Sequence, residues 1–98
     1  MKFLALEREV PGVADEQFAP HLKAEAARAW ELYLDGVIRE LYFRADRHEA
    51  VLVLECPDMD AARAALDSLP LVRERLITFE IIPLAPYPGF ARLFGDGG

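Results

Sequence analysis

The sequence predicts an α+β domain whose elements follow one another in the order β-α-β-β-α-β. Three observations lead to this prediction. Four short runs rich in apolar, β-branched and aromatic residues have the length of strands. Two other segments, one after the first run and one after the third, repeat apolar residues at helical spacing. Proline and glycine residues mark several of the joints, where neither a helix nor a strand continues easily.

The first half of the chain is predicted to supply a strand, a helix and a second strand. Residues 2–10 (KFLALEREV) form the first predicted strand, which Pro11 and Gly12 end. Apolar residues recur at helical spacing over residues 20–34, and Gly36 is the expected stop of that helix. Residues 37–45 (VIRELYFRA) are strand-like.

The second half is predicted to repeat the pattern. Residues 48–56 (HEAVLVLEC) form the third strand, and Asp58 is the expected N-cap of the second helix, which stops before Pro70. Residues 75–82 (RLITFEII) form the last strand, and the prolines that follow it are expected to end its pairing. This order predicts a ferredoxin-like arrangement, with two helices on one face of a four-stranded antiparallel sheet.

The sheet is also predicted to pair with a second copy of the chain. The strand residues are apolar on both faces, so that the face without helices needs a cover. Burying five such side chains stabilises by about 1.5–3 kcal/mol each. We therefore expect a homodimer whose two sheets face each other. Residues 1–88 form the predicted domain, and residues 89–98 form a tail that either packs on the partner subunit or is a disordered end.

Composition excludes several classes of function. The net charge of −6 argues against a nucleic acid or an anionic membrane as partner, and no apolar run is long enough to span a bilayer. Cys56 is the single cysteine, and His21 and His48 show no metal-ligand spacing, so we expect neither a disulfide nor a metal site. We expect a soluble, cytoplasmic protein. General acid–base chemistry is the class of catalysis that the side chains permit.

Arg39 is the most informative charge on the second strand. Strict alternation places it on the same face as Leu41 and Phe43, where a guanidinium group could hold a ligand carboxylate with two parallel hydrogen bonds. The alternative is an ion pair with a glutamate of another strand: Glu7, Glu55 or Glu80. Three aromatic residues are candidates for lining a pocket between helix and sheet, although core packing is the alternative reading: Trp30, Tyr33 and Tyr42.

Two segments of the sequence resemble the muconolactone isomerase family. LDSLPL, followed by FEIIPLAPYP, is similar to the C-terminal half of these proteins, and the similarity extends over residues 22–88. The resemblance implies a dimeric α/β barrel, assembled in the isomerases into a larger ring of dimers. It also implies proton movement across an unsaturated lactone without a metal or an organic cofactor.

The resemblance also implies a set of site residues. Lys23 and Arg39 match the family pattern, whereas Glu40 stands where the family has histidine. The ligand implied is a small organic acid or lactone, with Arg39 anchoring its carboxylate and Lys23 assisting by charge. These two residues are the ones that carry over from the family; if the protein is an enzyme, our own candidates for the proton carrier are Glu40 and Glu25. Two alternatives share the fold: a non-catalytic binding or structural module, and a small oxygenase that uses no cofactor.

Overall fold

The structure is a computed structural model, and it describes residues 1–95. The strands are β1 (Lys2–Glu9), β2 (Ile38–Phe43), β3 (Ala50–Glu55) and β4 (Ile77–Leu84). The helices are α1 (Leu22–Leu34), α2 (Met59–Asp67) and the single turn α3 (Pro70–Arg73). Short 3₁₀ turns lie at Asp15–Gln17, Ala19–His21 and Gly89–Leu93. The last three residues of the predicted tail, 96–98, lie outside the described residues.

The four strands form an antiparallel sheet in the order β2-β3-β1-β4. This order, with both long helices on one face, confirms the predicted ferredoxin-like α+β fold. Asp58 caps α2 as expected, because its side chain accepts a hydrogen bond of 2.8 Å from the Ala61 backbone N–H. Pro70 follows the end of α2, but it also opens α3, where its missing N–H has no helical partner to lose.

The hydrophobic core lies between the helices and one face of the sheet. Phe3 and Ala5 of β1 pair with Leu54 and Leu52 of β3, and all four side chains are fully or almost fully buried. Leu32 of α1 and two residues of α2 complete the same cluster. The opposite face carries the alternate residues of β1, β3 and β4, which are half-buried: Leu4, Leu6, Val51, Val53, Ile82 and Leu84. We call this set the open sheet face.

Two local expectations are wrong. The pairing of β4 continues through Pro83, which lies opposite Phe3, to Leu84. Because β4 is an edge strand of the described sheet, the missing N–H of Pro83 costs no bond between strands. In β2, a bulge between Ile38 and Glu40 breaks the strict alternation. Ile38 therefore shares the helix-covered face with Leu41, and Arg39 is the extra residue at the bulge.

No helix within residues 1–95 has the length and apolar character needed to cross a membrane. The cytoplasmic location expected from the sequence stays a prediction.

Candidate active-site cleft

A cleft of about 740 Å³ opens between α1 and the helix-covered face of the sheet. We call it the inner cleft. Its walls are mainly apolar, with side chains from α1, from β2 and from the sheet floor that include Ala26, Ala29, Leu41, Phe43, Leu52 and Phe79. Both helix and sheet positions contribute because the small alanine side chains of α1 leave space above the strands. A cleft of this size accommodates a small organic molecule.

Glu7 lies in this cleft as a buried carboxyl group. Its position on β1 follows that of Phe3 and Ala5, so alternation directs it toward the helices rather than toward solvent. Only 8% of Glu7 is exposed, and its Oε1 accepts a hydrogen bond of 3.2 Å from the Ala50 backbone N–H. Burial raises the pKa of Glu7, and this effect outweighs the lowering by the Ala50 N–H.

Glu25 of α1 supplies a second carboxyl group to the same cleft. Its Oε1 accepts a hydrogen bond of 2.9 Å from the backbone N–H of Leu71, in the first turn of α3. The side chain therefore caps a short helix from outside it. Burial raises the pKa of Glu25, while the Leu71 N–H and the positive charge of Arg73 lower it by less. The inner cleft thus contains two carboxyl groups that hold their protons more tightly than exposed glutamates do.

His48 also lines the inner cleft, from the loop between β2 and β3. Its ring stacks on Phe43 with a centroid distance of 4.1 Å. His48 lies close enough to Glu7 to lower the pKa of that carboxyl group slightly. It is the one lining side chain of the described chain that can carry a positive charge.

A second, shallower cleft of about 570 Å³ lies beside the first. We call it the outer cleft. It shares four lining residues with the inner cleft, so the two form one continuous trough: Ala26, Ala29, Leu41 and Tyr42. Five of the residues predicted from the sequence meet here: Trp30, Tyr33, Arg39, Glu40 and Tyr42.

The polar groups of the outer cleft are largely exposed. The rings of Trp30 and Tyr33 stack at a centroid distance of 5.7 Å. The Tyr42 hydroxyl donates a hydrogen bond of 2.8 Å to Glu40, and this bond raises the pKa of Tyr42. Arg39 donates through Nε to the Gly36 carbonyl oxygen at 2.5 Å. Within residues 1–95 no carboxylate lies within ion-pair distance of Arg39.

The candidate site residues are therefore divided between three places. Glu25 lies in the inner cleft, the group around Arg39 lies in the outer cleft, and Lys23 is exposed on α1 and lines neither cleft. Whether these residues act on a ligand stays a prediction. Within residues 1–95, no group of His, Cys, Asp and Glu side chains is arranged to hold a metal ion.

Sequence reasoning treated Glu7 only as a possible partner of Arg39. Two signals could have placed it in the site. Glu7 continues the every-second-residue series of Phe3 and Ala5, which is the buried face of β1. Because the series ends at a charged residue, it indicates a polar group on the covered face of the sheet. Such a buried charged group marks a candidate ligand cavity. His48 had no such signal, because its place in the cleft depends on how the loop folds against Phe43.

The ferredoxin-like fold and the trough with its carboxyl groups define a class: small α+β proteins with a ligand cleft between helix and sheet. The model of the muconolactone delta-isomerase family matches residues 1–89. The chain belongs to this family. The sequence resemblance noted over residues 22–88 is thereby confirmed and extended to β1.

Two solved structures show the same similarity. A crystal structure of muconolactone isomerase superposes with a TM-score of 0.73 at 28% sequence identity, covering 90% of this chain and 92% of that one. A 5-chloro-2-hydroxyhydroquinone dehydrochlorinase from Burkholderia phenoliruptrix AC1100, in complex with 2,5-dihydroxybenzoquinone, has a TM-score of 0.69 at 15% identity. That comparison covers 91% of this chain and 98% of the dehydrochlorinase, and it shows the fold alone. No curated protein sequence matches the chain.

Proposed function

We propose that this protein isomerises a small unsaturated carbonyl compound by acid–base catalysis in the inner cleft, without a cofactor. The observation that carries the proposal is the pair Glu7 and Glu25, two carboxyl groups of raised pKa in one largely apolar cleft. Membership of the muconolactone delta-isomerase family supports the reaction class. The family resemblance implies a proton shift of this kind, and one similar solved structure is a muconolactone isomerase.

The chemistry needs one group that removes a proton and one that returns it. A carboxylate takes a proton from the carbon at the far end of the ligand's conjugated system, and the double bond moves as a second carboxyl group protonates the carbon beside the carbonyl group. A raised pKa makes each glutamate a stronger base than an exposed one. Glu7 belongs to the sheet and Glu25 to α1, and we propose that they act on opposite sides of a flat ligand.

The residues predicted from the sequence give a second assignment. In it, Arg39 anchors the carboxylate of an acidic ligand, Lys23 assists by charge, and Glu40 carries the proton in place of Glu25. The stacked pair Trp30 and Tyr33, together with Tyr42, would line the binding surface. The first assignment is favoured because Glu7 and Glu25 are shielded from water, whereas Glu40 and Lys23 are exposed.

We further propose that the protein acts as a homodimer, as the open sheet face suggests. Two such faces placed against each other would remove apolar side chains of three strands from water. The described part of the tail, with the exposed apolar residues Phe90, Leu93 and Phe94, would then pack on the partner subunit. Assembly of dimers into a larger ring follows from the family resemblance and is proposed on that ground.

The proposal is tested by following the isomerisation of muconolactone and of its methyl ester in the ultraviolet. We expect the wild-type protein to accelerate the double-bond shift of at least one of the two. Glu7→Gln and Glu25→Gln each remove a proton carrier while keeping an acceptor for the Ala50 or Leu71 N–H, and each should lower kcat by about 10²–10⁴-fold.

The matched control is Glu80→Gln, which makes the same chemical change on β4 outside both clefts. It should leave kcat unchanged. Equal rates for wild type and both cleft variants would refute the assignment to the inner cleft. A large loss in Glu40→Gln, with none in Glu25→Gln, would favour the second assignment.

A further inference from the structure

Four carboxyl groups line the inner cleft: those of Glu7, Glu9, Asp15 and Glu25. The other ionisable lining residues are His48 and Tyr42, and the cleft's lining within the described chain includes no lysine and no arginine. The remaining walls are mainly apolar side chains. A chain with a net charge of −6 adds a negative field around this opening.

An anionic ligand would meet little compensation here, since His48 is the one lining side chain of the described residues that can carry a positive charge. Its carboxylate would leave water for mainly apolar walls, beside the exposed acidic residues Glu9 and Asp15. The backbone N–H groups of Ala50 and Leu71 already donate hydrogen bonds to Glu7 and Glu25. These two groups are therefore not available to bind an anion. Arg39, the nearest guanidinium group along the trough, lies in the outer cleft and donates its Nε–H to Gly36.

A cationic ligand is also disfavoured. Glu7 and Glu25 are the carboxyl groups deepest in the walls, and burial favours their uncharged form. A positive group between them would lose its hydration to apolar walls such as Leu52 and Phe79.

We propose that the inner cleft selects an uncharged, largely apolar ligand and rejects organic anions of the same shape. This inference rests on the proposed function, since it names the ligand class of the same site. The ligand is then a neutral unsaturated ketone, lactone or ester, rather than the free organic acid that the sequence led us to expect. The carbon skeleton of this ligand lies against the apolar walls, and its acidic C–H group faces Glu7 and Glu25.

The experiment compares two probes that differ by one sulfonate group. N-phenyl-1-naphthylamine is uncharged, 8-anilinonaphthalene-1-sulfonate is its anionic counterpart, and both fluoresce in apolar surroundings. We expect the neutral probe to bind at pH 7.5 at least about tenfold more tightly, which corresponds to about 1.4 kcal/mol. Equal affinities, or tighter binding of the sulfonate in the cleft, would overturn the inference.

A pair of variants on α1 shows where the neutral probe binds. Ala26→Trp fills the part of the trough shared by both clefts, and it should abolish binding of the neutral probe. Ala27→Trp adds the same ring at an exposed neighbouring position that lines neither cleft, and it should leave binding intact. A signal that survives Ala26→Trp comes from elsewhere, such as the open sheet face, and would count against selection by the cleft.

A second pair of variants isolates charge. Glu9→Lys reverses an exposed charge at the inner cleft. It should reduce the ratio of the affinities of the neutral and the anionic probe severalfold. Glu16→Lys makes the same change outside both clefts and should not. An unchanged ratio in Glu9→Lys contradicts the electrostatic argument.

The outcomes separate this inference from the proposed function. If the sulfonate binds as well as the neutral probe and Ala26→Trp removes both, the inference fails but the inner cleft remains a ligand site. If muconolactone is isomerised and its methyl ester is not, with the activity lost in Arg39→Ala, the inference fails and the proposed reaction stands. If neither probe binds, both the selectivity and the inner cleft as a ligand site are refuted.

Discussion

At the scale of single residues, the proposed reaction depends on two carboxyl groups, of which Glu7 is buried and Glu25 is half-buried. Glu7 is inward-facing because it continues the alternation of an otherwise apolar face, and the Ala50 N–H is the partner that makes its burial tolerable. Glu25 is held by the Leu71 N–H across the cleft entrance. Burial raises the pKa of both carboxyl groups, and the backbone hydrogen bonds lower it by less.

The raised pKa of Glu7 makes a prediction about stability and pH. The folded protein binds this proton more tightly than the unfolded chain, so that the free energy of unfolding falls as pH rises from the unfolded pKa, near 4.5, through the folded pKa. Glu7→Gln should remove this contribution, and the variant should therefore lose less stability than wild type between about pH 4 and 7. Urea unfolding midpoints across that range measure it.

Glu80→Gln is the control for this experiment, because its exposed carboxyl group lies outside the clefts. Its pH profile should follow that of wild type. A Glu7→Gln profile that is parallel to wild type throughout the range would show that Glu7 has no raised pKa in the folded protein.

At the scale of elements, two helices end in the same hydrogen-bonded motif. The end of α1 is a Schellman motif: Gly36 N–H donates to Tyr33 and Val37 N–H donates to Leu32. Gly36 occupies the left-handed position with φ of 79°. The same pair of hydrogen bonds ends α3, but there Arg75 holds the left-handed position with φ of 61°. The first motif also presents the carbonyl oxygen that holds Arg39.

The two helix ends give a prediction with opposite signs. Gly36→Ala should lower the free energy of unfolding by about 1 kcal/mol, since an L-residue strains there although space for its Cβ is available. Arg75→Gly should raise it by up to about 1 kcal/mol, because it relieves the same strain. Chemical denaturation of both variants tests this, with Gly95→Ala as a control outside the left-handed region. A destabilising Arg75→Gly would show that the Arg75 side chain contributes more than its backbone costs.

The element pattern could be predicted from the sequence because each signal was local. Apolar periodicity gave the helices and strands, and Asp58, Gly36 and Pro70 set ends that the structure confirms. The bulge at Arg39 could not be predicted, because no residue type there requires a bulge. It arises from the pairing of β2 with β3, and that pairing decides which face each following side chain of β2 takes. The inner cleft was missed for the same reason: it depends on the packing of α1 against the sheet.

At the scale of the whole molecule, the sheet is covered on one side and open on the other. The open sheet face and the exposed apolar side chains of the tail both leave apolar surface in contact with water, which is a common property of subunits that associate. Its cover by a second copy would keep the inner cleft open, because Leu41 and Leu52 of that cleft lie on the helix-covered side, whereas Tyr42 shares the face of Val51.

The dimer prediction is tested by a charge at the centre of the open sheet face. Wild type should scatter light with at least twice the chain mass of 11.0 kDa at micromolar concentration, and Val53→Glu should scatter with a smaller mass than wild type and show an unchanged circular dichroism spectrum. Association of the sheets would bury the new carboxylate without a partner, which costs free energy and so weakens the dimer. Ala64→Glu, on the exposed side of α2, is the control. A monomeric wild-type protein would refute the association of the sheets.

The proposed reaction is tested most directly by hydrogen exchange at carbon. In D₂O, the signal of the ring C–H at the far end of the conjugated system is followed by proton NMR, for muconolactone and for its methyl ester, with wild type, Glu7→Gln and Glu25→Gln. We predict that wild type accelerates loss of the signal over buffer and that at least one glutamine variant loses about 10²–10⁴-fold of this rate. Exchange at the buffer rate with wild type, or equal exchange by all three proteins, would contradict proton transfer by these two glutamates.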